Sequence, residues 1–233
     1  MASRPTKPAA PAFVWDTFSV IAEIKRASPS AGAIAAHPIG PWAQGFEDAG
    51  AAMLSVLTEE RFFSGSIETL EEVALLTHLP LLRKDFLVDV LELDEAKDFG
   101  ASAVLLIAAG LSRLELQEMF KEARARELGV LLEVHEPEEL DAAFACSSFT
   151  EPGVMLGINQ RNLQTLAVDP RYAERFPVHL PKGTRFVIES GIKSADDLRW
   201  AKGLGAAGAL VGEALARADN PGLELALWLA SCS

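Results

Sequence analysis

Eight short apolar segments recur along this chain, and each is followed by a segment with helical spacing. The strand-like segments are Val20–Arg26, Ala52–Thr58, Pro80–Asp85, Ala103–Ala108, Val130–Val134, Val154–Asn159, Arg185–Ser190 and Ala209–Val211. The helical ones are Pro41–Ala49, Ser66–Thr77, Asp89–Phe99, Ser112–Leu128, Pro137–Cys146, a short one near Pro170–Phe176, Ser194–Leu204 and Pro221–Ala230. Ser66 and Ser112 stand where N-caps belong, and Gly100 and Gly129 where helices stop. AVLLIA at 103–108 has no polar face, as expected of a strand buried on both sides. Strict alternation predicts a parallel sheet with right-handed crossovers, and eight units predict a closed (β/α)8 TIM barrel, α/β in class. An open doubly wound sheet would be expected to carry a glycine-rich dinucleotide fingerprint after an early strand, and the sequence has none. The expected organisation is a flexible Pro/Ala-rich N-terminal arm over 1–19 and one barrel domain over 20–233.

Composition narrows the function. A length of 233 residues and 49% hydrophobic content suit one barrel. A net charge of −12 argues against nucleic acid or an anionic membrane as partner, yet leaves room for a small anion in a locally basic site. The two cysteines, Cys146 and Cys232, suggest neither a disulfide framework nor a zinc site. No apolar run reaches ~18 residues, and the first residues lack the apolar stretch of a secretory signal.

Barrel enzymes work at the C-terminal ends of their strands. The first strand runs VIAEIKRASPSAG and aims Glu23 and Lys25 at one side, because strand side chains alternate. Alternation puts Glu23, Lys25, Lys84, Glu133, Asn159 and Glu189 on the same face, the barrel interior. Singly, each has a structural alternative: a solvated ion pair for Lys84 between Arg83 and Asp85, a buried salt bridge for Glu133, a polar loop for Asn159-Gln160-Arg161. His135 reads as a rim or helix-cap residue. Convergence of both charge signs on one mouth points to a ligand. Ser190-Gly191 and Gly212-Glu213, after strands seven and eight, occupy the usual phosphate loops, with Ser28 and Ser30 as added donors.

The blocks IAEIKRASPSAG, SVLTEERFFSGS, LLRKDF, GASAVLLI, LLEVH, GINQRNL, IESGI and LVGEAL closely resemble indole-3-glycerol-phosphate synthases of tryptophan biosynthesis, over about Val20 to Pro221. The resemblance implies a carboxy-lyase acting on 1-(2-carboxyphenylamino)-1-deoxyribulose 5-phosphate, with no cofactor and no metal. It implies Lys84 as general acid, Glu133 as general base, Lys25 as a candidate second acid, Glu23 beside it, and Asn159 at the reacting region. It implies Arg161 near the substrate carboxylate and Glu189 and Ser190 at the end of strand seven. Leu57, Phe86, Leu105 and Ile107 would form the slot for the aromatic ring. Ser28, Gly191, Gly212 and Glu213 would hold phosphate. The implied partner is a small phosphorylated substrate. The implied state is a monomer or weak homodimer in the cytoplasm, with other tryptophan-pathway enzymes as candidate partners.

Departures from the family pattern are a short N-terminal extension, Ala31 in place of a loop lysine, Glu92 in place of glutamine, and Ile188 in place of serine. Phe13, Trp15 and Phe18 are candidates to replace part of the usual lid over the mouth. Two rival readings are a paralogue that closes an indole on a modified substrate and a non-catalytic phospho-ligand-binding barrel. A phosphoribosylanthranilate isomerase would be expected to show a cysteine at the end of the first strand, where this chain has Glu23 and Lys25.

Overall fold

The computed structural model describes residues 10–232. Eight parallel strands close into a barrel: β1 (Ser19–Ile24), β2 (Met53–Leu57), β3 (Leu81–Lys84), β4 (Ala103–Ile107), β5 (Gly129–Val134), β6 (Val154–Asn159), β7 (Phe186–Glu189) and β8 (Gly208–Val211). Closure is made by β1, which pairs with β2 on one side (Glu23 opposite Ser55) and β8 on the other (Ile21 opposite Leu210). The helices outside are α1 (Ile39–Ala49), α2 (Glu60–Phe63), α3 (Ile67–Leu76), α4 (Leu91–Asp98), α5 (Arg113–Ala125), α6 (Leu140–Phe144), α7 (Ala195–Gly203), α8 (Glu213–Ala216) and α9 (Pro221–Ala230). None of them is long and apolar enough to cross a membrane. The (β/α)8 architecture is therefore the one the alternation predicts.

The strands divide two cores. Outward residues such as Val20, Leu54, Val104, Leu132, Leu156 and Ile188 pack under the helices. Inward residues such as Ile21, Leu82, Leu131 and Val187 fill the barrel. Two positions further along the same odd-numbered strands come Glu23, Lys84, Glu133 and Glu189. Alternate strands supply the side chains of one barrel layer, so an apolar layer supports a charged one.

The ends of several elements differ from the sequence-based expectation. Lys25 and Arg26 lie past the end of β1, and Ala27–Ser28 pairs with Gly32–Ala33 in a small hairpin, with Gly32 at φ 64°. Residues expected as a loop after β2 form α2, because the Glu59 carboxylate accepts the N–H groups of Arg61, Phe62 and Phe63. The helix expected near Pro170–Phe176 is instead two 3-10 turns, Tyr172–Arg175 and Pro177–His179. Pro177 has no N–H with which to continue a helix. The Ser112 cap is a full capping box with Glu115.

The first nine residues of the expected arm lie outside the described residues. Residues 10–18 seat in the N-terminal end of the barrel. Ala12 and Phe13 are buried with the inner core, Arg185 donates to the carbonyls of Phe13 and Trp15, and the Trp15 indole N–H donates to the carbonyl of Ala207. Phe13 and Trp15 thus close the floor and do not cover the mouth. The lid role expected of them is corrected by the direction of the chain, which must enter β1 from the end opposite the site.

Candidate active site

At the C-terminal end of the barrel is a cavity of about 940 Å³. Its lining contains every candidate site residue named from the sequence: Glu23, Lys25, Ser28, Leu57, Lys84, Phe86, Leu105, Ile107, Glu133, Asn159, Arg161, Glu189, Ser190, Gly191, Gly212 and Glu213.

Lys84 stands at its centre. The flanking charges do not compete for it, because neighbouring strand residues face opposite ways. Arg83 turns outward, 2.8 Å from Glu95 Oε2 and 3.5 Å from Asp85 Oδ2, and its Nε–H donates to Thr58 Oγ1. Lys84 Nζ turns inward, 3.0 Å from Glu133 Oε2 and 3.2 Å from Glu189 Oε2. Burial alone would lower the Lys84 pKa, but Glu133, Glu189 and Glu23 outweigh it and hold it above the ordinary lysine value. Burial would likewise raise Glu133, yet Lys84 and His135 hold that carboxyl well below the usual range. For Glu189 burial wins: with Glu133 adding repulsion against the attraction of Lys84, its carboxyl is pushed up to about 8. Neither Glu189 oxygen has a hydrogen-bond partner in bonding geometry among the described residues, so its 3.2 Å approach to Lys84 is close but is not an aligned hydrogen bond.

Glycines make room for these groups. A Cβ on Gly157, which sits opposite Glu133 in the β5–β6 register, would lie 2.2 Å from Glu189 Oε1. A Cβ on Gly212 would lie 2.3 Å from Glu23 Oε1. Glu23 also pairs with Lys25 Nζ at 3.1 Å and accepts from Ser55 Oγ at 3.4 Å. The charge pair that stands out in the first strand is therefore both an ion pair and a wall of the cavity.

The loops divide the mouth into a polar and an apolar side. Arg161 donates to Ser30 Oγ at 3.0 Å and to the carbonyl of Leu166 at 2.9 Å, which brings its guanidinium to the serines of the first loop. Asn159 Oδ1 accepts the N–H of Arg161. Ser190 (φ 62°) and Gly191 (φ 80°) turn consecutively through the left-handed region, with Gln160 Nε2 donating to the carbonyl of Ser190. Leu57, Leu105 and Ile107 are buried, whereas Phe86 is half exposed at the rim. Phe62 and Phe63 of α2 and Leu163, Leu166 and Val168 of the sixth loop also line the cavity and were missed in the sequence. Lys25 Nζ lies 5.5 Å from the centroid of the Phe63 ring. The Phe62-Phe63 pair just past β2 was the available signal.

Two departures from the family pattern find structural places. Glu92 Oε2 accepts the N–H groups of Val88 and Asp89, shaping the third loop. Ile188 faces the outer core, away from the cavity. His135 is not at the rim: it is buried, with Nε2 3.1 Å from Glu133 Oε1. Among the described residues no cluster of three or more His, Cys, Asp or Glu side chains could hold a metal.

The sequence pattern of indole-3-glycerol phosphate synthase matches residues 13–226. This chain belongs to the indole-3-glycerol phosphate synthase family. Indole-3-glycerol phosphate synthase of Halalkalibacterium halodurans is 41% identical over 207 residues, 88% of this chain and 79% of that one. The Rhodopirellula baltica synthase is 42% identical over 217 residues, 93% of this chain and 82% of that one. The chain is thus a carboxy-lyase of a tryptophan-biosynthesis family. Among solved structures, 3-hexulose-6-phosphate synthase from Salmonella typhimurium aligns with a TM-score of 0.66 at 15% identity, covering 93% of this chain and 100% of that one. Phosphoribosylanthranilate isomerase from Thermotoga maritima aligns at 0.62 and 12% identity, covering 93% and 98%. These two likenesses concern the fold alone.

Proposed function

We propose that the chain converts 1-(2-carboxyphenylamino)-1-deoxyribulose 5-phosphate to indole-3-glycerol phosphate by ring closure, decarboxylation and dehydration. The observation that carries this reading is a partly buried lysine, Lys84, set 3.0 Å from Glu133 Oε2 and 3.2 Å from Glu189 Oε2 beside an apolar wall. Lys84, kept protonated by its neighbours, gives a proton to the ketone oxygen as the ring carbon attacks. Loss of CO2 restores the aromatic ring. Glu133, kept ionised, takes a proton in the dehydration and returns it to Lys84 across their hydrogen bond. Lys25 protonates the departing hydroxyl and is recharged from solvent, to which its side chain is 13% exposed. With the carboxylate ionised, substrate and one proton give product, CO2 and water. The single proton taken up enters through Lys25.

Leu57, Phe86, Leu105 and Ile107 take the aromatic ring, and Arg161 faces its carboxylate. Ser28, Ser190, Gly191, Gly212 and Glu213 surround the phosphate, the glycines and Glu213 through backbone N–H groups. Preorganised charge in a buried layer is the main source of transition-state stabilisation. On this reading the enzyme works in the cytoplasm as a monomer or weak homodimer.

The test is a fluorescence assay for the indole product. The expected result is turnover by the wild type, loss by Lys84→Ala of about 10²–10⁴-fold, and a comparable fall in kcat for Glu133→Gln with KM little changed. No product from the wild type at high enzyme concentration would sink the proposal, and near-normal turnover by Lys84→Ala would remove its acid role.

A further inference from the structure

Glu133 has two oxygens with different neighbours. Oε2 meets Lys84 at 3.0 Å, and Oε1 meets His135 Nε2 at 3.1 Å. His135 follows Glu133 by two positions, in the bend just past the end of β5 at Val134, and the chain's turn there brings its ring beside the Glu133 carboxylate. The imidazole is 6% exposed and lies behind the cavity, outside its lining. The segment after β5 holds it from the other side: Glu139 Oε2 accepts the His135 backbone N–H at 2.7 Å and lies 3.9 Å from ring Nδ1. Neither ring nitrogen makes a well-aligned hydrogen bond, so at 3.1 Å the ring is within reach of Oε1 but turned off the donor line. Contacts of this kind tighten when substrate fills a site.

A glutamate base has rotatable bonds that let its carboxylate turn, and rotation would exchange the oxygen that faces the reacting atoms. Lys84 cannot by itself prevent this, because it would pair with either oxygen. A donor fixed on Oε1 can. From this geometry we infer that His135 is the positioning residue for Glu133: its Nε2–H holds Oε1, keeping Oε2 aimed at Lys84 and the cavity. The inference rests on the reading of Glu133 as base. Glu139 in turn anchors the backbone that carries the imidazole, by accepting the His135 N–H.

The experiment compares His135→Leu and His135→Gln with the wild type and Glu133→Gln in the indole assay. His135→Leu is expected to lower kcat about 10–100-fold, the scale seen when the hydrogen-bond partner that orients a metal-ligating side chain is removed. KM should change by less than about threefold. His135→Gln keeps a side-chain N–H donor of similar reach and should recover most of kcat. If His135→Leu does not fold, His135→Asn takes its place, since its amide is too short to reach Oε1 and should show the same loss. The His135 Nε2 resonance in ¹⁵N spectra should move in Glu133→Gln, which a merely space-filling imidazole would not show. Loss confined to KM, equal loss in the Leu and Gln variants, or an unmoved resonance overturns the proposal. Full turnover by Glu133→Gln would remove the base reading and the role of His135 together. Full turnover by His135→Leu with Glu133→Gln inactive would overturn the positioning role alone.

Discussion

Three carboxyl groups, Glu133, Glu189 and Glu23, act on Lys84, while Lys25 pairs with Glu23 alone among the described residues. Glu189 carries the consequence. Its pKa is raised from the ordinary 4.5 to about 8, so the folded protein keeps a proton that the unfolded chain releases between those values. The stability that this proton brings is complete below about 4.5 and is lost as pH rises to about 8. Glu133 has the opposite sign, and its contribution is lost as pH falls below its ordinary value of 4.5. Glu189→Gln should therefore gain stability relative to the wild type as pH rises through the upper window. Denaturant unfolding at several pH values measures it, and a difference independent of pH would clear Glu189 of the effect. That these groups share a face was legible in the sequence, because alternation along a strand is local. Which carboxylate meets Lys84 was not, since β3, β5 and β7 come together only through the stagger of the closed barrel.

Residues 10–18 show how the same composition reads differently once its surroundings are known. A Pro/Ala-rich segment before a strand reads as a flexible arm. Here Phe13 is fully buried against Ile21, Met53 and Leu82, and Arg185 holds the carbonyls on either side of Val14. Phe13→Ala should cost about 3–5 kcal/mol in urea unfolding with kcat and KM preserved, because the floor is the end of the barrel remote from the site. A change in KM with stability intact would contradict that placement. The α2 helix was hidden for a related reason. Four residues are too few to show a period, and the helix is nucleated by the Glu59 carboxylate capping three N–H groups. Long helices with serine caps were legible because both signals lie within one turn.

Closure of the whole barrel depends on close backbone approach at the seam between β1 and β8. A Cβ on Gly208 would stand 2.3 Å from the Ser19 carbonyl oxygen, a backbone atom with no side-chain freedom to yield. Gly208→Ala should force the seam apart, costing about 1–3 kcal/mol. Turnover should fall with it, since Glu23 rides on the displaced strand. Equilibrium unfolding and the indole assay test this, and an unchanged midpoint would show that the seam has slack. At this scale the sequence by itself determined the number and order of strands, the (β/α)8 class, the face on which each charge lies and the family. All of these are encoded in local period, chain order and contiguous motifs. Only the tertiary structure decided that the N-terminal segment closes the floor, that Phe62 and Phe63 reach the mouth, and that His135 stands against Glu133. Those facts depend on distances between strands and loops, which the register of the barrel sets and no single segment contains.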